Sequence, residues 1–416
     1  MKKQILSILL CALCVACNDF EEETGYTLNV GPFKITVDEV STTSYSGVYQ
    51  IPISLANGKA DISKVYFNVN NERVEAKCEK EVYSMDYQFV CGKRYDVRTI
   101  AVINGIEQTL DKQVVGYSIS DLGPSGKISC TVVEFGKIRF TVNLSSSASG
   151  YFPLVSDVTI TTGSLTTPMQ SAGSQTYVCD VDLYDIKGWG NKALVKVKTK
   201  LGTTSLNFNM GSTGVYIRVY NVTDYDMSND GKEMDGCIYL AGTKWAKGVM
   251  GSDGKLTADS ELGESWNSYP FSFSSSIFDG DGYYYFQGME NDPIRKNLGE
   301  GWMTPSTTQL RNLYERCSIQ KVKVGNNTGY LFYPGKNGKR VLCNVAYSSA
   351  DVKELRERGV YMQENEYYAS DMITKRPSYT YAWVACKIES SSDGFSFDYP
   401  WCNPRYCKLH ILPIKE

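Results

Sequence analysis

Tyr95-Asp96-Val97-Arg98-Thr99-Ile100-Ala101-Val102 is followed, one residue on, by Asn104-Gly105 and then by a second strand-like run through Val115. Alternation at period two puts one side of a strand into a core and leaves the other in water, and Asn-Gly suits the two positive-φ positions of a tight hairpin. A β-hairpin is therefore expected here, inside a β domain. Upstream, Val48-Tyr49-Gln50-Ile51-Pro52-Ile53-Ser54-Leu55 and Val65-Tyr66-Phe67-Asn68-Val69 carry the same alternation. Residues 26–120 thus read as one β-sandwich.

Downstream, Asp121-Leu122-Gly123-Pro124-Ser125-Gly126 is rich in turn formers and reads as a linker. A second β unit, 126–212, follows with Lys137-Ile138-Arg139-Phe140-Thr141-Val142 and Ala193-Leu194-Val195-Lys196-Val197-Lys198, the latter entering a turn at Gly202. The two endings echo each other, which predicts two related seven-strand sandwiches of the immunoglobulin or fibronectin type. Neither holds a cluster of chemistry-bearing residues, so both are expected to act as spacers. From Gly214 onward the composition shifts, and five of the six Trp lie beyond that point. Residues 214–416 are expected to form a third, α+β domain, which makes the chain multidomain, as its 416 residues suggest.

The amino terminus carries an address. Met1-Lys2-Lys3, the apolar run Ile5 to Leu13 and Cys14-Val15-Ala16-Cys17 have the layout of a cleavable signal peptide, residues 1–16. Val15-Ala16-Cys17 resembles the lipobox of bacterial lipoproteins, which implies acylation at Cys17. The acidic tether 17–25, with Asp19 and Glu21-Glu22-Glu23, looks like the export tag of Bacteroidota surface lipoproteins and implies an outer-membrane anchor facing the cell exterior. Loss of Lys2 and Lys3 with the leader takes the formal net charge from −3 to −5, which gives no attraction to nucleic acid. Ten of the thirteen cysteines remain after Cys17. Cys78 with Cys91, Cys130 with Cys179 and Cys402 with Cys407 are candidate bridges, and the first two pairs read equally as free buried thiols.

Ser306 and Gln309, just before Leu310, Leu313, Tyr314 and Cys317, form a capping box opening a helix whose apolar stripe faces a core. They lie in Gly299-Glu300-Gly301-Trp302-Met303-Thr304-Pro305-Ser306, which resembles the Gly-Trp-Arg-Leu/Met-Pro-Thr hallmark of the FISUMP (major paralogous) domains of bacterial surface lipoproteins. Gly242-Thr243-Lys244-Trp245-Ala246, Gly282-Tyr283-Tyr284-Tyr285-Phe286-Gln287-Gly288, Asp292-Pro293, Gly329-Tyr330, Gly335-Lys336-Asn337-Gly338 and Tyr367-Tyr368 match further blocks in order. Met303-Thr304 departs from the usual Arg-Leu, and Tyr368-Ala369-Ser370 from a Trp-Ser-Ser turn. The resemblance implies a C-type-lectin-like domain whose loops recognise a ligand.

The richest such loop runs from Ser378 to Tyr406. Tyr381, Trp383, Tyr399, Trp401, Asn403, Arg405 and Tyr406 stand there among small polar residues, a mix that suits a contact surface for an extracellular protein or glycan. Tyr381 and Trp383 read equally as half-buried strand positions. Tyr399 to Cys407 also looks like the variable loop of lectin-type proteins diversified by retroelements.

Chemistry has few carriers. The one histidine, His410, sits in a terminal strand pattern, and no HExxH, P-loop or paired CxxC is present, so neither an enzyme nor a cofactor is expected. Asp224-x-Asp226-x-Ser228-Asn229-Asp230 and Asp279-x-Asp281 read as turns rather than calcium loops, since each lacks the Gly or the ligands an EF-hand needs. Cys402-x-x-x-x-Cys407 resembles the late cysteine pair of formylglycine-generating enzymes, but a disulfide stapling the loop accounts for the spacing. The sequence thus points to a cell-surface adhesin or receptor on spacers, and secondly to a structural or fimbrial accessory subunit.

Overall fold

Residues 26–56, 60–147, 150–188, 191–250, 254–256, 287–288, 290, 292–349, 351–363, 366–368, 374–376, 379–391, 394–398, 401–402 and 412–416 are described by the computed structural model of the chain, as backbone alone from 363 to 402. Strands dominate, in several mostly antiparallel sheets. Cα packing divides the chain into two compact units: Met1–Lys127, Asn143–Val158 and Lys196–Leu206, and Ile128–Val142, Thr159–Val195 and Asn207–Glu416.

The first nine strands are β1 (Thr27–Val30), β2 (Lys34–Val40), β3 (Ser44–Ala56), β4 (Ile62–Val69), β5 (Glu72–Glu75), β6 (Lys77–Glu79), β7 (Val82–Val90), β8 (Tyr95–Ile103) and β9 (Ile106–Val115). β1 and β2 pair with successive parts of β3, whose sheet continues to β7 and β6, while the second sheet runs β5-β4-β8-β9. This is the strand order of an immunoglobulin-type sandwich. The expected hairpin is present: Ile103 stands across from Ile106, and Asn104 and Gly105 have φ of 50° and 82°. In β8 the pattern resolves as Tyr95, Val97, Ala101 and Ile103 buried, with Asp96 and Arg98 exposed.

Aromatic rings join these two sheets. Tyr49 of β3 meets Phe67 of β4 edge-on at 4.9 Å, and Phe89 of β7 meets Tyr95 of β8 at 5.2 Å. Each such pair contributes about 0.5–1.5 kcal/mol beyond its buried area. The Tyr95 hydroxyl also accepts the Val90 N–H at 2.9 Å, tying the end of β7 to the start of β8 much as the tyrosine corner does in immunoglobulin-type domains.

The stretch read as a linker does join the two sets of strands, but as ordered structure. Ser118 and Asp121 form a capping box around a single helical turn, α1 (Ile119–Leu122), and Leu122 is fully buried. Gly123 and Pro124 then lead straight into the next strand, so turn-forming composition here ends a helix rather than freeing the chain. The next strands are β10 (Ser125–Glu134), β11 (Lys137–Ser145), β12 (Val155–Thr162), β13 (Leu165–Pro168), β14 (Gln170–Gly173), β15 (Thr176–Asp182), β16 (Lys192–Thr199) and β17 (Gly202–Asn209). They form two sheets, β10-β11-β15-β14 and β13-β12-β16-β17, in the same order as the first set. Ile138, Phe140 and Val142 of β11 and Val195 and Val197 of β16 supply the buried face.

The cysteine bridges between the early pairs do not form. Cys78, Cys91, Cys130 and Cys179 are free thiols. Cys78 on β6 stands across from Tyr83, whereas Cys91 follows the far end of β7, about 26 Å along the strand at about 3.3 Å per residue. Cys130 and Cys179 lie on strands separated by β11, hence at least about 9.5 Å apart at two strand spacings. Both distances exceed the roughly 7 Å Cα limit of a disulfide. Cys407 lies outside the described residues, so the Cys402 pairing does too.

The remaining elements are β18 (Ile217–Asn221), β19 (Glu233–Met234), β20 (Cys237–Leu240), β21 (Thr243–Ala246), α2 (Pro293–Leu298), β22 (Trp302–Met303), α3 (Thr307–Arg316), β23 (Ser318–Val324), β24 (Asn327–Tyr333), β25 (Lys339–Ser349), α4 (Val352–Arg358), β26 (Val360–Gln363), β27 (Glu366–Tyr368), β28 (Thr374–Arg376), β29 (Tyr379–Ser391), β30 (Gly394–Asp398), β31 (Trp401–Cys402) and β32 (Ile414–Lys415). One sheet runs β18-β25-β23-β24-β26, and another β19-β20-β21-β32-β22. The Ser306/Gln309 capping box opens α3 as expected, and Leu310, Leu313 and Cys317 are buried against Trp245, Tyr330, Phe332, Leu412 and Ile414. Among the described residues no helix is long and apolar enough to cross a membrane.

Candidate functional site

The residues expected to bind a ligand fall on or beyond a ribbon centred on β29. That strand pairs with β27, β28, β30 and β31. Tyr381 and Trp383 are on β29 itself, and Trp401 and Cys402 make β31. In the register Trp383 stands across from Cys402, and Val384 across from Trp401. Successive strand positions alternate between faces, so Trp383 and Trp401 belong to opposite faces of the ribbon. Tyr399, Asn403, Arg405, Tyr406 and His410 lie outside the described residues, as do Asp279 and Asp281.

Before α3 the chain is pinned by a carboxylate that the sequence marks only as part of Asp292-Pro293. Asp292 is fully buried and caps α2, with Pro293 at the first helical position. Oδ1 accepts the Ile294 N–H at 2.9 Å and the Thr304 hydroxyl at 2.9 Å, while Oδ2 accepts the Gly288 N–H at 2.8 Å and the Thr304 N–H at 2.9 Å. One side chain thus joins the 287–288 turn, α2 and the segment entering α3. Gln287 continues the joint, donating through Nε2 to the Thr304 carbonyl at 2.9 Å and to Gln309 Oε1 at 2.6 Å. The Asp-Pro dipeptide, a helix-start signal, was the available clue.

The acidic loop before β19 does not gather its carboxylates. Asp226 accepts the Ser228 N–H and hydroxyl, both at 2.9 Å, and these hydrogen bonds hold its carboxyl below the usual range. Asp235 takes the Lys244 ammonium at 2.9 Å, and Asp224 lies 3.8 Å from Arg316. Asp230 turns inward: Oδ1 accepts the Tyr225 hydroxyl at 2.6 Å and the Ala241 N–H at 3.1 Å, while its buried Oδ2 has no partner. Among the described residues no three His, Cys, Asp or Glu side chains come together in a metal-holding group.

Burial pushes the Asp230 carboxyl above the usual carboxylate range, against the opposing pull of Tyr225 and Ala241. A carboxyl raised in the folded state stabilises fully below its unfolded pKa of about 3.9, and that contribution is lost as pH rises through the folded value. Asp230→Asn keeps an oxygen for Tyr225 and removes the charge. Its urea midpoint should equal or exceed the parent's at pH 7, with the gap closing toward pH 4. A variant clearly weaker than the parent at pH 7 would show that the ionised carboxylate is needed.

On the first sandwich, a shallow depression at the β2 bulge is lined by Asp38, Ser46, Gly47, Asp86, Tyr87 and Gln88. Its polar groups are engaged in part: Asp86 pairs with Lys77 at 2.5 Å, and the Tyr87 hydroxyl donates to Glu72 at 2.9 Å.

No family model matches the chain, and no curated protein matches it. Solved structures similar to it include the Yersinia pseudotuberculosis adhesin InvE, at 10% identity over 94% of this chain and 97% of that one, with a TM-score of 0.19. Domains A168–A170 of titin align at 12% identity over 44% of this chain and 67% of theirs, with a TM-score of 0.17. The Group B Streptococcus pullulanase SAP aligns at 14% identity over 43% of this chain, which spans 23% of the pullulanase, again at a TM-score of 0.17. Superpositions this loose carry no argument about shared fold or function.

Proposed function

We propose that the chain is a binding protein displayed on the cell surface, held to the outer membrane by lipid at Cys17 and facing outward. The β-sandwiches space it from the membrane, and residues 214–416 form a FISUMP-type, C-type-lectin-like domain that takes an extracellular protein or glycan. The observation that supports this best is the pairing of β32 with β21, Ile414 across from Trp245. The last strand of the domain returns beside one of its first, so the chain between them leaves and re-enters one core, and recognition is commonly carried by such loops on a rigid scaffold. Trp401, Tyr406 and their neighbours are on that returning stretch.

The test is binding of the full chain to a printed glycan array and to immobilised extracellular-matrix proteins. Any probe bound by the parent should be bound at least tenfold more weakly by the Trp401→Ala/Tyr406→Ala double variant, with an unchanged melting temperature. A double variant that melts early instead places both residues in the core and removes them as the contact surface. A second reading, a structural or fimbrial accessory subunit, is favoured by one feature. β9 is a ten-residue strand at the end of its sheet, with Val114 and Ile106 exposed and no further strand paired to it among the described residues, and an edge of this kind can accept a strand from another subunit. On that reading the chain co-purifies with a polymer.

A further inference from the structure

Residues 210–217 lead from β17 into β18. A connector of this length between two β units would swing freely if its backbone groups faced water. Here they do not. Asn191, at φ of 56°, accepts the Met210 N–H on its carbonyl at 2.7 Å and the Ile217 N–H on Oδ1 at 3.1 Å. From the other side Asn344 of β25 accepts the Tyr216 N–H on Oδ1 at 2.6 Å, donates Nδ2 to the Gly214 carbonyl at 2.9 Å, and donates its own N–H to the Tyr216 carbonyl at 3.0 Å. The connector itself is wound into a 3-10 turn, Met210–Thr213, in which Met210 is buried and Thr213 and Val215 both donate to the Met210 carbonyl.

A second contact lies apart from the connector. The 3-10 turn Leu183–Asp185, after β15, presents Tyr184, which is buried; its hydroxyl shares a 2.7 Å hydrogen bond with the hydroxyl of Ser318 and donates to the Pro334 carbonyl at 3.3 Å. Ser318 Oγ in turn accepts the Val341 N–H at 3.1 Å. Lys336 pairs with Asp182 at 2.8 Å, and the Lys339 ammonium donates to the Tyr184 carbonyl. Phe135, at the β10–β11 turn, sits 5.5 Å from the Tyr333 ring and 4.8 Å from the Tyr347 ring. Next to it Gly136 has φ of 81°, and a Cβ there would come within 2.6 Å of the Tyr184 ring, so the fit depends on glycine.

We propose that these two contacts together form a rigid joint, which holds the C-terminal domain in one fixed orientation on segments 128–142 and 159–195. Two separated attachments remove the rotations that either alone would leave. The buried hydroxyl network between Tyr184, Ser318 and Val341 would have to break for the seam to open. The inference goes beyond the binding reading and stands without it: a domain so held keeps its orientation whether it meets a ligand or a neighbouring subunit. For a binding domain the consequence is thermodynamic, since a site already aimed gives up less orientational freedom on association.

Hydrogen–deuterium exchange on the full chain tests the joint. The amides of Met210, Tyr216 and Ile217 should exchange within about tenfold of those in the middle of β18 and β25, because a closed joint opens only with the structure around it. In the Asn191→Ala/Asn344→Ala/Tyr184→Ala variant the same amides should exchange at least tenfold faster, while those of β20 and β21 stay as in the parent. Parent amides at 210–217 that exchange like an open chain, with β18 still protected, would overturn the proposal. If the variant loses protection everywhere, the parent measurement still decides.

Discussion

Asp292→Ala should unfold much of the structure built around α2, α3 and the strands that pack on them at physiological temperature, with a loss of about 4 kcal/mol or more in chemical denaturation. The substitution strips the acceptor from three backbone N–H groups and one hydroxyl, in a place with no exposure at the carboxylate itself. Each buried donor left without a partner costs about 1–3 kcal/mol, and loss of the helix cap is already counted among them through the Ile294 N–H. Against a total stability of roughly 5–15 kcal/mol, such a loss is close to the whole margin. Asp292→Asn gives the sharper control. Its oxygen can still accept from Ile294 and Thr304 Oγ1, but its amide nitrogen would face the Gly288 and Thr304 N–H groups, donor against donor. The asparagine variant should therefore fall between parent and alanine. An alanine variant within about 1 kcal/mol of the parent would mean that the four hydrogen bonds are readily replaced by water, and Asp292 would lose its place as the node of the scaffold.

Asp292 also shows what the sequence hides. Its helix-start role is local, written in Asp-Pro, but its hold on Gly288 and Thr304 depends on where the chain returns. The same division recurs throughout. The Asn104-Gly105 hairpin and the Ser306/Gln309 capping box were legible because every partner lies within a few residues, as were the buried positions Leu310, Leu313 and Cys317, which follow from helical period. Cysteine pairing was not, because spacing along the chain carries no register: only the ladder shows that Cys78 stands beside Tyr83.

At Asp121-Gly126 composition marked a connection between strands but not its order, since glycine and proline end a capped helical turn as readily as they loosen a chain. The roles of Asn191 and Asn344 are not legible in the sequence, since an asparagine gives no hint that it will clamp backbone far away in the chain. For the candidate site, the sequence identified an aromatic stretch but could not sort it by face. The register separates Trp383 from Trp401, so they are expected to serve different surfaces.

Trp245→Ala is expected to be as damaging as Asp292→Ala, for the opposite reason: it removes apolar volume rather than polar partners. Trp245 is the largest fully buried side chain among the described residues, packed among Leu240, Leu310, Leu412 and Ile414, and its indole N–H donates to the Leu240 carbonyl at 3.0 Å. Replacing a buried aromatic by alanine costs about 3–5 kcal/mol, from lost transfer energy and from the cavity left behind. The lost indole hydrogen bond to the Leu240 carbonyl adds to this. The damage should also have a direction. Trp245 stands across from Ile414, and β32 is a short strand that pairs with Lys244 and Trp245 of β21 and with Trp302 and Met303 of β22, with one further backbone hydrogen bond on each side, Ala246 N–H to the Pro413 carbonyl and Glu416 N–H to the Gly301 carbonyl. Losing the Trp245 side chain should therefore release the C-terminal strand first. Amides of Ile414 and Lys415 should lose protection at denaturant concentrations where β23–β25 remains closed. Trp245→Phe keeps a ring in the core but not the hydrogen bond, and should cost about 1–2 kcal/mol without releasing β32. If the strand stays protected in Trp245→Ala until the whole domain unfolds, then β32 is fastened by its backbone ladder and by Leu412. In that case the return of the chain to its starting strand does not depend on this one indole.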